Sequence, residues 1–272
     1  EINFMLSLRQ AYVKVDWPKG YSLLLGQTWH PLFGEVIPGM LNLSTGAPFQ
    51  PFNRSPQIRY QYKKSGFTLT ASAVYQFMYT SSGPEGKSEK YLKNGVLPEL
   101  YAGADYKREN FLIGFGVDML SLKPRLESVM DGKIYRVNER VTSFSYDLHA
   151  KYTYQKLQLS ARTLLASNQT HNAMIGGFGV TKTDNRTGEQ DYTPFLHSTS
   201  WLNAIYGTKY QGGFFAGYTK NLGTSKSLIS TDKLYGSGLN IDQFVNLSVF
   251  FRYVLPHWNI GLEYTLATAW YG

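Results

Sequence analysis

The chain has 272 residues, with 26 Gly, 21 Tyr, 16 Phe and 5 Trp, but only 17% of its residues are charged and none is Cys. The length suits two average soluble domains or one β-barrel, and the absence of Cys excludes a disulfide framework, a thiolate metal site and a cysteine nucleophile. No apolar run reaches the roughly eighteen residues of a transmembrane helix, and the formal net charge of +8 comes from scattered Lys and Arg, which argues against a nucleic-acid partner.

Apolar and polar residues alternate strictly in about a dozen segments, a pattern that predicts strands with one apolar and one polar face. The third segment alternates most sharply, because Ile58 and Tyr60 are interleaved with Arg59 and Lys63. In chain order, the predicted strands cover 4–17, 21–29, 56–63, 67–79, 99–107, 111–119, 143–154, 157–165, 199–210, 213–221, 245–253 and 258–264.

The connections between these segments alternate in length. Tight turns are predicted at 18–20, 64–66, 108–110, 155–156, 211–212 and 255–257, and long connections near 30–56, 80–97, 120–141, 167–198 and 222–242. Short periplasmic turns that alternate with long extracellular loops are typical of outer-membrane β-barrels. Soluble sandwiches and lipocalin-like barrels share the alternating strands but have no reason to sort their loops by length.

Aromatic residues flank the tight turns on the apolar faces of the strands. Such rings form the aromatic girdle at the headgroup level of a membrane barrel, so their position here predicts the periplasmic edge. The predicted girdle consists of Trp17, Tyr21, Tyr62, Phe67, Tyr106, Phe111, Tyr210, Phe214, Tyr253 and Trp258.

These patterns predict an all-β fold: a transmembrane, antiparallel, up-and-down β-barrel in the bacterial outer membrane, in contact with membrane lipid and lipopolysaccharide. Residues 1–272 are expected to form a single domain. The strand polarity puts both ends of the sequence at the extracellular rim, so at least one more strand is expected at each end. About twelve visible strands then correspond to 14–16 in the full protein.

The first long connection, near 30–56, contains too many Pro and Gly residues for a strand or a helix, yet it is rich in apolar side chains. We expect it to fold into the lumen and to narrow the pore. Its charged residues are Glu35 and Arg54, which with Arg59 of the next strand are the predicted pore constriction. The alternative for Arg54 is a salt bridge that pins the loop to the wall.

The polar strand faces predict a lumen wall of mixed charge. Because the positive residues modestly outnumber the negative ones, a weak preference for anions is expected; alternatively, the charges hydrate the wall and brace neighbouring strands. The predicted lumen-lining residues are Lys14, Asp16, Lys63, Glu99, Asp105, Lys107, Asp118, Asp147, His149, Lys151, Arg162, Lys209, Arg252 and Glu263.

The sequence offers no strong catalytic or metal motif. Asp147 and His149 share a strand face near Ser143 and Ser145, but side chains two apart point in parallel and are not expected to converge into a triad. The other histidines, His30, His171, His197 and His257, are isolated from one another in the sequence and lack metal-ligand spacing. No enzymatic activity, cofactor or metal site is therefore expected.

A family resemblance rests on three stretches: residues 24–63, which begin LLGQTWHPLFGEVIPG, GFFAGYTKNLG at 213–223, and LSLRQAYVKVDW at 6–17. With these the chain resembles the porin-like outer-membrane proteins of the DcaP-like group. The resemblance implies a sixteen-stranded barrel, a homotrimer, and the passage of small and often anionic solutes.

The sequence thus favours a porin, a water-filled channel for passive diffusion of small hydrophilic solutes. An outer-membrane barrel enzyme, such as a lipase or protease, and a barrel whose long loops bind a partner or surface ligand are the alternatives.

Overall fold

The computed structural model describes residues 8–42 and 45–272. Residues 4–7 of the first predicted strand and residues 43–44 of the first long connection lie outside this description. Within the two described ranges, no helix has the length and hydropathy needed to cross a membrane.

Twelve antiparallel strands form one continuous sheet in which each strand pairs with the next along the chain. This confirms the predicted all-β, up-and-down architecture and its number of visible strands. The strands are β1 (Ala11–Asp16), β2 (Tyr21–Trp29), β3 (Arg54–Lys64), β4 (Phe67–Val74), β5 (Glu99–Arg108), β6 (Phe111–Leu122), β7 (Val141–Tyr154), β8 (Leu157–Ser167), β9 (Gln190–Gly207), β10 (Tyr210–Thr224), β11 (Ile241–Val254) and β12 (Asn259–Tyr271).

Several predicted boundaries differ from the structure. The first strand begins at Ala11 within the described residues, β9 begins at Gln190 inside the predicted connection 167–198, and β12 runs to Tyr271 rather than to residue 264. The turn between β9 and β10 lies at residues 208–209 rather than 211–212, since Gly207 already pairs with Gln211 across the hairpin. The strand predicted to run to residue 79 ends at Val74. Its continuation is diverted because the buried Gln76 side chain bonds both the backbone N and the hydroxyl of Ser81, each at 2.9 Å.

The long connections carry short elements of their own. Among the described residues, one helix, α1 (Lys90–Gly95), lies between the strands. The same part of the chain has four 3-10 turns: Pro18–Gly20, Pro31–Phe33, Thr170–Asn172 and Thr231–Lys233. The short strands are Thr45–Pro48, Ser82–Gly83 paired with Gly86–Lys87, and Glu127–Met130 paired with Lys133–Arg136. A further strand, Gly176–Thr183, pairs both with the start of β9 and with Leu234–Ser237.

The two faces of the sheet differ in the sense expected of a membrane barrel. Alternate apolar residues point outward and are exposed, such as Ile58 at 56% and Phe67 at 56%. The intervening polar residues point to the face that the long connections cover, where Asp118 is 0% and Arg162 is 2% exposed. A soluble protein buries its apolar face instead, so the outer surface of this wall is suited to lipid and the covered face is the inner one.

The inner side contains three apolar clusters in which connection residues pack against inward strand residues. These clusters hold the long connections against the inner side of the sheet. The first cluster comprises Tyr91, Leu92, Leu120, Leu122, Val141, Phe178, Val180 and Tyr192; the second Leu32, Tyr101, Leu164, Ala166 and Met174; and the third Val36, Phe49, Leu112, Trp201 and Phe215.

The ten predicted girdle rings lie next to the tight turns, and rings from neighbouring hairpins contact one another. Tyr21 stacks on Tyr62 with a centroid distance of 4.8 Å, and Tyr210 stacks on Tyr253 at 5.0 Å. These contacts link successive hairpins at the tight-turn end of the wall.

Candidate functional site

The connection between β2 and β3, here called the inner loop and described for residues 30–42 and 45–53, crosses the inner face of the sheet. Its base is closed by a backbone hydrogen bond of 2.9 Å from His30 N to Asn53 O. From this base the loop extends across the inner face. It contacts inward residues of strands as far along the sheet as β9 and β12 before it returns to β3.

Arg162 of β8 is a deeply buried anchor of the inner loop, with 2% of its surface exposed. Its guanidinium donates to the carbonyl oxygen of Leu32 and, at 3.4 Å, to that of Phe33. The same guanidinium lies 3.3 Å from the Asp147 carboxylate. Arg162 therefore joins the loop backbone to the charged wall.

Two further wall residues bind the loop backbone. Asn203 of β9 accepts a 2.9 Å hydrogen bond from Gly39 N at its side-chain oxygen. Glu263 of β12 accepts one of 2.8 Å from Leu41 N. Both bonds satisfy loop amides that lie away from any regular ladder.

The returning half of the loop is anchored by aromatic packing. Phe49 is fully buried, with its ring stacked on Phe244 at 5.4 Å and tilted against Phe215 at 5.9 Å. Next to it, Gln50 accepts a 3.1 Å hydrogen bond from the indole N–H of Trp201. A buried indole needs such a partner, so this contact fixes the loop as well as the ring.

Glu35 pairs with Lys107 at 2.7 Å near the tight turn after β5, and both side chains are more than half exposed. The pair borders a recess of about 130 Å³ that Lys151 and Asn110 also line. This recess is a polar opening beside the inner loop.

Arg59 and Arg54 make other contacts. Arg59 donates to the carbonyl oxygen of Trp29 at 2.5 Å and to the side chain of Gln57 at 2.9 Å. Arg54 lies over the Trp29 ring, 4.7 Å from its centroid, and over the Phe52 ring at 5.7 Å. The contacts of its guanidinium are therefore with aromatic rings, whereas the alternative prediction for Arg54 was a salt bridge to the wall. Arg54 and Arg59 thus share Trp29 as a partner, whereas Glu35 pairs with Lys107 elsewhere, and the common role of the three residues as a constriction stays a prediction.

Asp147 and His149 do meet, contrary to the expectation from their spacing. His149 Nδ1 is 2.7 Å from Asp147 Oδ2, and its Nε2 is 2.8 Å from Asp105 Oδ1. Space for the ring comes from the missing side chain at Gly114, where a Cβ would lie 2.3 Å from His149 Nε2. Since carboxylates occupy both ring nitrogens, and Ser145 instead bonds Ser167 N at 3.0 Å, the cluster does not assemble a nucleophile with a base.

His30 and His171 are likewise not isolated, which corrects the sequence-based interpretation. Both rings direct Nε2 at the same carboxylate oxygen, Oε1 of Glu99, at 3.1 and 2.7 Å. All three side chains are fully buried, and burial lowers the pKa of His30 below its usual value, so that ring is neutral at pH 7. Beside them, Asp118 accepts a 2.8 Å bond from Gln169.

The remaining predicted lumen residues lie nearer the ends of the wall. Lys14 and Asp16 pair with each other at 2.6 Å on β1, and Arg252 bonds Gln211 on the neighbouring strand. Lys63 is exposed beside its tight turn. Lys209 does not line the inner face: it lies in the β9–β10 turn, with its amine 5.6 Å from the centroid of the outward Tyr253 ring.

Sequence reasoning placed Arg162 and Glu263 on the inner face but missed the uncharged residues that anchor the inner loop. Gln50, Trp201 and Asn203 carry no charge, and His30 and His171 lie in different long connections, so no spacing rule could bring them together. The one available signal was the excess of apolar residues in the first long connection, which indicates burial without naming the partners.

The sequence matches no protein-family model and no curated protein. Solved structures do resemble the fold. The trimer form of in-vitro folded OmpT, an outer membrane protein of Vibrio cholerae, is 12% identical and has a TM-score of 0.58 over 98% of this chain and 72% of that chain. The anion-selective porin from Comamonas acidovorans is 10% identical, with a TM-score of 0.53 over 96% of this chain and 67% of that one.

At these identities the likeness concerns the fold alone. The fold is that of an outer-membrane β-barrel, and the predicted localisation in the bacterial outer membrane agrees with it.

Proposed function

We propose that the chain is an outer-membrane porin that lets small hydrophilic solutes diffuse passively across the bilayer. One observation carries the proposal: the inner face of the wall is polar and charged, whereas the outer face is apolar. Likeness to an anion-selective porin supports it. The stretch at 24–63 supports the narrower proposal of a DcaP-like member.

In this proposal the inner loop sets the size limit and the charges beside it set the preference for ions. The recess next to the loop has Lys107 and Lys151 on the wall, opposed by Glu35 on the loop and Glu109 in the turn after β5. The recess is therefore balanced in charge, and the proposed weak preference for anions rests on the modest excess of positive residues among the predicted lumen-lining side chains.

Planar bilayers provide the test. Purified protein is expected to produce stepwise increases in conductance. In a salt gradient, the reversal potential is expected to have the sign that indicates a higher permeability for anions than for cations. The double variant Lys107→Glu/Lys151→Glu should shift that potential towards cation preference, because it reverses two charges at the recess.

Lys133→Glu is the matched control, since Lys133 lies in an exposed hairpin of a long connection; its reversal potential should equal that of the wild type. Absence of any conductance from folded protein would contradict a channel and favour the ligand-binding or enzymatic alternatives.

We infer that the chain catalyses no reaction and that its partners are membrane lipid, lipopolysaccharide and copies of itself in a homotrimer. The trimer form of the similar OmpT structure supports the oligomeric state. An apolar groove of about 520 Å³ on the outer face, bordered by Ala150, Ala161, Ala216 and Leu247, offers a concave surface for a neighbouring subunit.

A further inference from the structure

Four buried side chains from four segments of the chain meet at the base of the inner loop. His30 belongs to the loop, His171 to the connection after β8, Glu99 to β5 and Asp118 to β6. The nitrogen and oxygen donors of His30, Glu99 and His171 all lie within 4.8 Å of one another. Asp118 adjoins Glu99, and both side chains are fully buried.

The donor atoms are of the right kind and nearly at the right spacing for a metal ion. Zn²⁺ binds imidazole nitrogen and carboxylate oxygen in tetrahedral geometry, which keeps ligand atoms about 3.3 Å apart. The two Nε2 atoms lie 3.1 and 2.7 Å from Glu99 Oε1. Movements of a few tenths of an ångström would therefore admit an ion among them.

Two carboxylate oxygens at the cluster lack a hydrogen-bond donor among the described residues: Glu99 Oε2 and Asp118 Oδ1. Two buried carboxylates side by side require a proton or a cation between them, because an uncompensated buried charge is costly. One divalent cation neutralises both carboxylates, and two neutral imidazoles complete its coordination.

Metal binding rearranges the protons of the cluster. Without metal, the neutral His30 ring accepts from Leu32 N at Nδ1, at 3.2 Å, and donates from Nε2 to Glu99. Metal binding at Nε2 moves this proton to Nδ1 and gives up the bond from Leu32. His171 has a free Nδ1 that can take its proton in the same way. The proton that the Glu99 and Asp118 carboxylates share without metal leaves to solvent, so each bound ion releases one proton.

We propose that His30, Glu99, Asp118 and His171 bind one divalent transition-metal ion, with Zn²⁺ as the representative of the class. The ion ties the base of the inner loop and the connection after β8 to β5 and β6. Its role is structural, since all four ligands are buried and leave no open position for a substrate. The proposal stands independently of channel activity.

The test is a titration of the purified, chelator-treated chain in detergent with Co²⁺, followed by displacement with Zn²⁺. We expect one equivalent of Co²⁺ to bind with the visible absorption bands of a tetrahedral nitrogen and oxygen site. His171→Gln retains an N–H that can bond Glu99 but removes a good metal ligand, so binding should weaken by at least about 100-fold.

His197→Gln is the matched control, because His197 is also fully buried, on β9, and its two ring nitrogens have no partner among the described residues. It should bind Co²⁺ like the wild type. Circular dichroism and heat-modified gel migration verify folding of each variant. If His171→Gln does not fold, Asp118→Asn serves in its place and should also weaken binding.

The proposal is overturned if the folded wild type binds no equivalent of Co²⁺ or Zn²⁺, in which case a proton neutralises the carboxylate pair. It is equally overturned if folded His171→Gln or Asp118→Asn binds as tightly as the wild type.

Discussion

At the scale of single residues, absent side chains shape the inner face as much as present ones. Gly217 of β10 faces the loop residue Phe49, and a Cβ at position 217 would lie 2.6 Å from that ring. Gly103 and Gly116 make the same kind of space for Tyr101, whose hydroxyl would be 2.4 and 2.5 Å from their added Cβ atoms. Gly217 therefore lets the loop pack closely on the wall, and Gly103 and Gly116 let the Tyr101 ring lie against its own and the neighbouring strand.

Gly217→Ala is therefore expected to displace Phe49 and to lower the free energy of unfolding by about 1–3 kcal/mol through overpacking. Equilibrium unfolding by urea in lipid vesicles would measure the change. Because Phe49 anchors the inner loop, single-channel conductance should change as well.

Gly212→Ala on the same strand is the control, since its added Cβ would meet nothing closer than 4.0 Å. Equal effects of the two substitutions would mean that loss of a strand glycine, and not contact with Phe49, determines the result.

At the scale of elements, the outward side chains of each strand are as exposed as side chains on a soluble surface. They face lipid, however, whereas side chains in the long connections face water. Leu69 on β4 and Leu126 in a long connection are almost equally exposed, at 51% and 52%. Leu69→Arg should cost up to about 2–4 kcal/mol in vesicles, because Arg then faces hydrocarbon. Leu126→Arg should stay within about 0.5 kcal/mol.

Unfolding titrations of both variants against the wild type, in the same vesicles, give the comparison. Near-zero changes for Leu69→Arg as well would contradict a lipid-facing β4.

The strands themselves were largely predictable. Each strand has one face towards lipid and one towards the polar interior of the barrel, so apolar and polar residues must alternate along it. Ile58 and Arg59 suffice to assign the faces of β3. β4 ends earlier than predicted because the Gln76 side chain bonds Ser81. The β9–β10 turn lies three residues before its expected position, since Gly207 already pairs with Gln211. The cluster of His30, Glu99 and His171 was beyond prediction, since only the folded connections bring those residues together.

At the scale of the whole molecule, the proposed homotrimer requires a contact surface on the outer face. Ala161→Trp would fill the apolar groove at β7–β11 and should convert trimers into monomers, as measured by native mass spectrometry in detergent. Ala71→Trp, on the exposed outer face of β4 and away from the groove, should leave trimers intact. Trimers that persist in Ala161→Trp would assign the subunit contact to another face.

The length of β9 has a consequence for what meets the cell surface. Its 18 residues exceed the 8 of β4 by ten, or about 33 Å at roughly 3.3 Å per residue. Since the tight turns align at one edge, β9 extends beyond β4 at the opposite edge. The paired strand Gly176–Thr183 widens this extension. Epitopes inserted at this extension are expected to be displayed outside intact cells, and antibody binding to whole cells would measure this.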